Sequence, residues 1–395
     1  MKILIVSSFL PYPLFSGGHV RLFNLIKELA TKHELTIVCE KRSHQTDADI
    51  MAVKRYCQTL ITVERKKQWS FPNVFRTGFS PFPFLLVGHT NDEMRRAIIR
   101  LINEKSFDLI HVETFYVMQN IPDTPLPVVL VEHNIEYLVY KRYTKMAPFL
   151  FRPLLYFDVA KLKYWEEIYW SKATKLVAVS EEEKKLMNRE DVEVVSNGVD
   201  IQKFRIQNSE FRINKKEKRI LFIGDFKWLQ NRDAVGWILN EIWPEIKSKI
   251  EAKLWIVGKD IPDSIKKLSS DQNVIFDENA PKETAEIFAK ADVLLAPIRV
   301  GGGTSYKILE AMASGVPVIT TPLGREGIDA KDRQEILLAE DTDEFVKNIV
   351  DIFDNEKLYK KIAHNSRKLI EEKYDWKIIV KKLEDVYRDA ITTYD

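Results

Sequence analysis

At 395 residues the chain is longer than one hydrophobic core ordinarily serves, so its length points to two domains. Hydrophobic residues make up 45% and charged residues 30%, the balance of a folded globular chain, which excludes extended disorder. The 60 Lys and Arg against 58 Asp and Glu leave a net charge of +2, too little for a molecule-wide field that would draw DNA or RNA.

From the N-terminus, Met1-Lys2 and the apolar run 3–6 have the look of a leader, but Pro11-Tyr12-Pro13 interrupts it early and no signal peptide is expected. No segment approaches the roughly 18 apolar residues of a membrane span. Cys39 and Cys57 cannot frame a disulfide scaffold or a zinc site alone, and Cys39, closing an apolar run, reads as a small core hydrophobe. That usage fits a reducing cytosol, with the inner membrane face as the place of any peripheral contact. Basic clusters at Arg65-Lys66-Lys67 and at Lys215-Lys216 with Lys218-Arg219 read as solvated loops.

Short β-branched runs predict strands at 3–6, 35–38, 60–63, 109–112, 128–131, 176–179 and 192–195. They are nearly continuous in apolar residues, as parallel strands covered on both faces must be. Helical spacing appears between them, as in Phe23, Ile26, Leu29 and Ala30, and again in Met94, Ile98, Leu101 and Ile102. The alternation breaks over 201–219, a polar, lysine-rich stretch read as a linker. A second series follows at 220–223, 254–257, 274–276, 293–296, 318–320 and 336–338. Trp376, Ile379, Leu383, Val386 and Tyr387 then lie at helical spacing after Asp375, a plausible N-cap. This terminal helix either caps the second domain or crosses back to the first, and the crossing is the expectation. The predicted layout is a first domain over 1–200, a linker over 201–219, a second domain over 220–375 and the helix over 376–395. The class is α/β: two Rossmann-like, doubly wound parallel-sheet domains facing across a cleft.

In open parallel sheets ligands collect beyond the carboxyl ends of the strands. Gly17-Gly18 lie after the first strand and before the first helix, where a ligand can approach the backbone closely. Glu113 follows the strand 109–112, and Glu132-His133-Asn134 follow 128–131. His111, inside its strand, reads as a satisfied core histidine. The strongest signal is Gly301-Gly302-Gly303-Thr304-Ser305-Tyr306-Lys307-Ile308-Leu309-Glu310, a glycine loop entering a helix that Thr304 or Ser305 could cap. Backbone N–H groups and the helix dipole there suit an anion. Lys307 sits one turn inside, and Glu310, a turn further on the same face, suits ribose hydroxyls. The arrangement fits a nucleoside diphosphate but lacks the P-loop order.

With these residues in place, the chain resembles the family 4 glycosyltransferases, retaining enzymes of the GT-B fold. The run 307–313 continuing through Gly315-Val316-Pro317-Val318-Ile319-Thr320-Thr321 and Gly324 is similar to their donor-site signature. Ser16-Gly17-Gly18 is similar to their first-domain glycine loop, and Val131-Glu132-His133-Asn134 to the strand end carrying their acceptor-side histidine. Val177-Ala178-Val179-Ser180, Ser196-Asn197-Gly198-Val199-Asp200 and Phe222-Ile223-Gly224 follow in the family's order. The sequence departs from the pattern twice. Gly302 stands where the family has a first glutamate that contacts the donor sugar. Asp225-Phe226-Lys227 stands after Gly224 where an arginine and a later lysine are usual, so that Lys227 is at best an out-of-register substitute. Both departures fit a branch with a Gly-Gly-Gly-Thr loop.

The resemblance implies hexosyl transfer from a nucleotide diphosphate sugar to a glycan or lipid-linked acceptor, in surface polysaccharide or glycolipid assembly. The expected catalytic residues are His133 and Lys307. The expected donor-binding residues are Gly17, Gly18, Lys227, Gly302, Gly303, Thr304, Ser305, Lys307 and Glu310. The departing diphosphate needs charge stabilisation that loop N–H groups and Lys307 can supply, so no metal and no cofactor beyond the co-substrate is expected. Asp341-Thr342-Asp343 has metal-pair spacing but reads as a helix N-cap. The alternatives are an epimerase of the same fold and a catalytically silent subunit. Two aromatic stretches stay open. Residues 69–84 hold Phe71, Phe75, Phe79, Phe82 and Phe84 among prolines. Residues 149–170 hold Phe151, Leu154, Leu155, Phe157, Trp165 and Trp170 beside Arg152, Lys161 and Lys163. Buried core and an interfacial face for a lipid-linked acceptor are the competing readings of the second stretch.

Overall fold

The structure is a computed structural model that describes residues 1–204, 217–281, 283–300 and 303–394. The chain divides into two compact units, one formed by Met1–Val195 with Val380–Asp395 and the other by Ser196–Ile379.

The first unit is built on seven parallel strands: β1 (Lys2–Ser7), β2 (Glu34–Lys41), β3 (Thr59–Glu64), β4 (Leu109–Glu113), β5 (Val128–Val131), β6 (Lys175–Ala178) and β7 (Val192–Val194). They lie in the order β3-β2-β1-β4-β5-β6-β7. From β1 the chain winds outward to β3, then returns to β4 on the other side. The switch therefore falls between β1 and β4, where Ser7 pairs with Glu113. The central strands are buried almost end to end, since helices cover both sheet faces.

The second unit repeats the plan with β8 (Arg219–Ile223), β9 (Lys253–Val257), β10 (Val274–Asp277), β11 (Val293–Ala296), β12 (Val318–Thr320) and β13 (Leu337–Leu338). Their order is β10-β9-β8-β11-β12-β13, so the switch falls between β8 and β11. Each apolar run that predicted a strand has become one.

The terminal helix Trp376–Tyr394 starts where Asp375 accepts the Lys377 N–H at 3.0 Å. Its residues 380–394 belong with the first unit, in which Tyr387 is fully buried and Glu384 accepts from His33 at 3.0 Å. Asp341 is an N-cap, accepting the Glu344 N–H at 2.9 Å at the head of the helix Thr342–Asp354. Of the stretch read as a linker, 205–216 lies outside the described residues, Lys215 and Lys216 included, and Arg219 already opens β8. Cys39 is fully buried in β2. Among the described residues no helix is long and apolar enough to cross a membrane.

Candidate functional site

In the first unit the polar side chains gather at the carboxyl ends of β1, β4 and β5. His111 and Glu113 are two apart on β4 and so point to one side of the strand. Glu113 Oε2 is 2.6 Å from His111 Nε2, and Glu113 Oε1 is 2.5 Å from His133 Nε2. Arg21, fully buried in the helix Gly17–Leu29, holds its guanidinium 3.8 Å from the same carboxylate and donates to the Val195 carbonyl at 2.8 Å. Behind His111 the Tyr387 hydroxyl lies 2.7 Å from Nδ1. An ionised carboxylate only accepts, so both imidazoles present Nε2–H to Glu113 and Tyr387 donates to His111 Nδ1. The result is a continuous chain from Tyr387 through His111 and Glu113 to His133. Burial, the largest influence, raises the Glu113 carboxyl. The His133 charge and the bonds from His111 and His133 outweigh it and hold that carboxyl well below the usual range.

His133 is thereby fixed with Nδ1 turned away from the carboxylate. Facing Nδ1 is Gly18, where an added Cβ would stand 3.0 Å from that nitrogen. The glycine loop and the histidine, far apart in sequence, thus share one small space. Gly17 opens the helix behind Ser16, whose hydroxyl caps no backbone N–H and lies 2.8 Å from His19 Nδ1. Burial first, then the charges of Arg42 and His133, push His19 down to about 4, so it is neutral at pH 7. Thr114, next to Glu113, has φ +68°, an uncommon conformation for a side-chain-bearing residue, at the carboxyl end of the central strand β4 beside this cluster.

In the second unit the loops after β8 and β11 adjoin because those strands are neighbours. Gly301 and Gly302 lie outside the described residues. Gly303 has φ +77°, the left-handed backbone that glycine adopts without strain. Ser305 occupies the N-cap of the helix Tyr306–Ala313, but neither it nor Thr304 caps it. The expected side-chain cap is absent, and the Ser305 carbonyl accepts the Ile308 N–H at 3.1 Å in the first turn. The Thr304 Oγ1 is buried and has no hydrogen-bond partner among the described residues.

Lys307 reaches back to the β8 side, donating to Asn231 Oδ1 at 2.7 Å with its ammonium 4.5 Å from the centre of the Phe222 ring. Asn231 in turn donates to the Asp225 carbonyl at 2.7 Å, which ties the two loops together. Burial pushes Lys307 down to about 7. Burial likewise raises Glu310 to about 7, against a hydrogen bond from Thr284 and the charge of Lys203. Glu310 and Lys307 therefore meet different neighbours, although both line the same short helix.

Lys227 stands apart from this cluster. Its side chain is largely exposed and its ammonium is 3.2 Å from Asp260. Asn231 is the β8-side residue that meets the glycine-loop helix, through its bond from Lys307. Glu113 and Tyr387 are the other residues sequence reasoning passed over as functional. The two-residue spacing of His111 and Glu113 was the available signal for the first, and none existed for the second. Arg299, in the β11 loop, is held by Asp233 at 3.0 Å and packs 4.4 Å from the Trp237 ring centre, so it anchors the loop.

Two doubly wound units, with a glycine-loop helix that lacks a side-chain cap and a half-buried lysine at the switch point of the second, make a two-domain α/β architecture with a candidate anion site. Residues 15–203 match the model of Glycosyltransferase Family 4, and residues 217–355 match that of Glycosyl transferases group 1. The chain is a glycosyltransferase of the family 4 type. It is 25% identical over 396 residues to an uncharacterized 44.6 kDa protein in the cps region of Klebsiella pneumoniae, covering 95% of this chain and 97% of that one. The fold is shared with sucrose-phosphate synthase from Thermosynechococcus elongatus, at TM-score 0.72 and 14% identity over the full length of both chains. It is also shared with Anabaena HepE, solved in complex with UDP and glucose, at TM-score 0.65 and 14% identity over 98% of this chain and all of that one.

Proposed function

We propose that the protein transfers a hexosyl group from a nucleotide diphosphate sugar to a glycan or lipid-linked acceptor, with retention at the anomeric carbon. The observation that carries this reading is Lys307. It is a half-buried amine bonded to the neutral Asn231 side chain, with no carboxylate in ion-pair range among the described residues, beside a helix terminus without a side-chain cap. A diphosphate is the partner that this environment lacks. As the bond from the anomeric carbon to the diphosphate breaks, the electron pair leaves with the phosphate oxygen. Lys307, the loop N–H groups around Gly302 and Gly303, and the hydroxyls of Thr304 and Ser305 stabilise that growing charge without a metal. Glu310 accepts the ribose hydroxyls. In the first unit, His133 in its neutral form, with Nε2–H on Glu113, receives the acceptor hydroxyl's hydrogen at Nδ1, and Gly17-Gly18 leave room for the sugar beside it. The similarity to a protein of a cps region supports a place in surface polysaccharide assembly, and the likeness to HepE supports a uridine donor.

The test is a thermal-shift screen of nucleoside diphosphates and their sugars, followed by NMR of the sugar released in slow hydrolysis of the best donor. The proposal expects stabilisation by one nucleoside diphosphate and first release of the anomer that the donor carries. No stabilisation by any of them would remove the donor assignment, and first release of the opposite anomer would remove retention.

A further inference from the structure

The first unit turns to solvent a set of aromatic side chains that an aqueous helix would bury. In the helix Phe71–Phe79, Phe71, Phe75 and Phe79 recur every fourth residue, with ring centres 6.4 and 4.7 Å apart along one face. That face is outward, with Phe71 83% and Phe79 81% exposed. The buried residue is Asn73, whose Nδ2 donates to the Lys67 carbonyl at 2.9 Å. The helix is inside out relative to the usual amphipathic pattern. A second strip comes from the turn Phe149–Phe151 and the first turns of the helix Arg152–Lys172, where Phe149, Leu154 and Phe157 are each at least 60% exposed.

The two strips are parts of one packed surface. Lys161 Nζ donates to the Thr77 carbonyl at 2.7 Å, and Asp158 accepts the Phe84 N–H at 3.0 Å. Trp165 donates to the Pro81 carbonyl at 2.9 Å and stacks on Phe82 at 4.5 Å. Charge follows the same segments. No acidic residue lies between Glu64 and Asp92 or between Glu136 and Asp158. These intervals present Lys66, Lys67, Arg76, Lys141, Arg142, Lys145 and Arg152, all exposed, in a chain whose net charge is only +2.

We propose that this face seats on the headgroup layer of an anionic lipid bilayer, with the aromatic rings in the interfacial zone and the cations on lipid phosphates. Apolar rings partition into the interface, and basic side chains beside them add attraction to anionic lipid. A symmetric pair of chains is the poorer occupant, because it would bring seven cations from each copy against their equivalents. The proposal is independent of the donor assignment.

Flotation of the full chain tests it, using vesicles of phosphatidylcholine alone and of equimolar phosphatidylcholine and phosphatidylglycerol. The wild type should float with the mixed vesicles, remain in solution with phosphatidylcholine, and be released by high salt. The variant F71S/F75S/F79S should partition at least about tenfold less, and R76E/K145E/R152E should lose the preference for phosphatidylglycerol. Both should melt with the wild type, since the altered side chains face solvent. Wild type that does not float with mixed vesicles, or a serine variant that floats equally well, overturns the proposal. So does a wild-type dimer in light scattering that the serine substitutions dissolve, which would make the face a self-association surface.

Discussion

Burial moves Lys307 and Glu310 in opposite directions to nearly the same value, and this has consequences for stability. Lys307 falls from 10.5 to about 7, so between those values the unfolded chain holds more protons, and this residue's contribution to stability rises with pH across that window. Glu310 rises from 4.5 to about 7, so its contribution is full below the lower value and is lost as pH climbs through about 7. The difference in melting temperature between wild type and Lys307→Met should therefore change above pH 7, and that for Glu310→Gln below it. Parallel melting curves across both windows would mean that neither side chain is desolvated as described. In the first unit, Glu113→Gln should lower transfer about 100-fold while leaving nucleotide affinity intact, because an amide can no longer hold both imidazoles as Nε2–H donors. Its pH–rate profile should move as well, which a purely structural loss would not produce. The position of Lys307 after the glycine loop was legible in the sequence, because spacing within one helix is local. The bond from Glu113 to His133 was not, since it joins neighbouring strands separated in sequence by a loop and a turn.

Two short helical segments show what local sequence can and cannot specify. The helix Gly17–Leu29 was evident from its apolar spacing, but only the structure shows Gly18 against His133. Gly18→Ala would put a methyl group 3.0 Å from Nδ1, and turnover should fall with little change in melting temperature. Full activity in that variant would place the reacting hydroxyl elsewhere. The helix Glu136–Met146 starts at Ile135, which has no capping side chain. Glu166, from the helix Arg152–Lys172, substitutes by accepting the N–H groups of Glu136 at 2.8 Å and Tyr137 at 2.9 Å. Glu166→Ala should cost about 1–3 kcal/mol in a denaturant titration, and an unchanged midpoint would contradict the capping role. A cap supplied from another helix leaves no local motif. The stretch 149–170 divides for a related reason: Leu162, Tyr169 and Trp170 are buried while the earlier turns face outward. Composition alone could not separate the halves, because both are aromatic.

At the scale of the whole chain, two sheets were readable because parallel strands buried on both faces leave continuous apolar runs. Their order was not, since the runs do not say which side of β1 receives β4. The switch points follow from that order, and the polar clusters in each unit sit at them. The terminal helix shows the same limit: its stripe predicted burial, and the contact of Tyr387 with His111 decides which unit buries part of it. Stabilisation of the leaving diphosphate by Lys307 and backbone N–H groups, as proposed, predicts that transfer survives EDTA. Loss with EDTA and rescue by magnesium would contradict that. The most direct test of the central claim is a calorimetric titration of a nucleoside diphosphate into wild type, Glu310→Ala and Lys307→Met. The prediction is saturable one-to-one binding to wild type. Glu310→Ala should lose roughly 2–4 kcal/mol against a ribonucleotide and less against its dideoxy analogue, and Lys307→Met should bind progressively less well than wild type as pH falls below 7. Wild-type affinity in both variants at every pH would place the donor elsewhere and contradict the account.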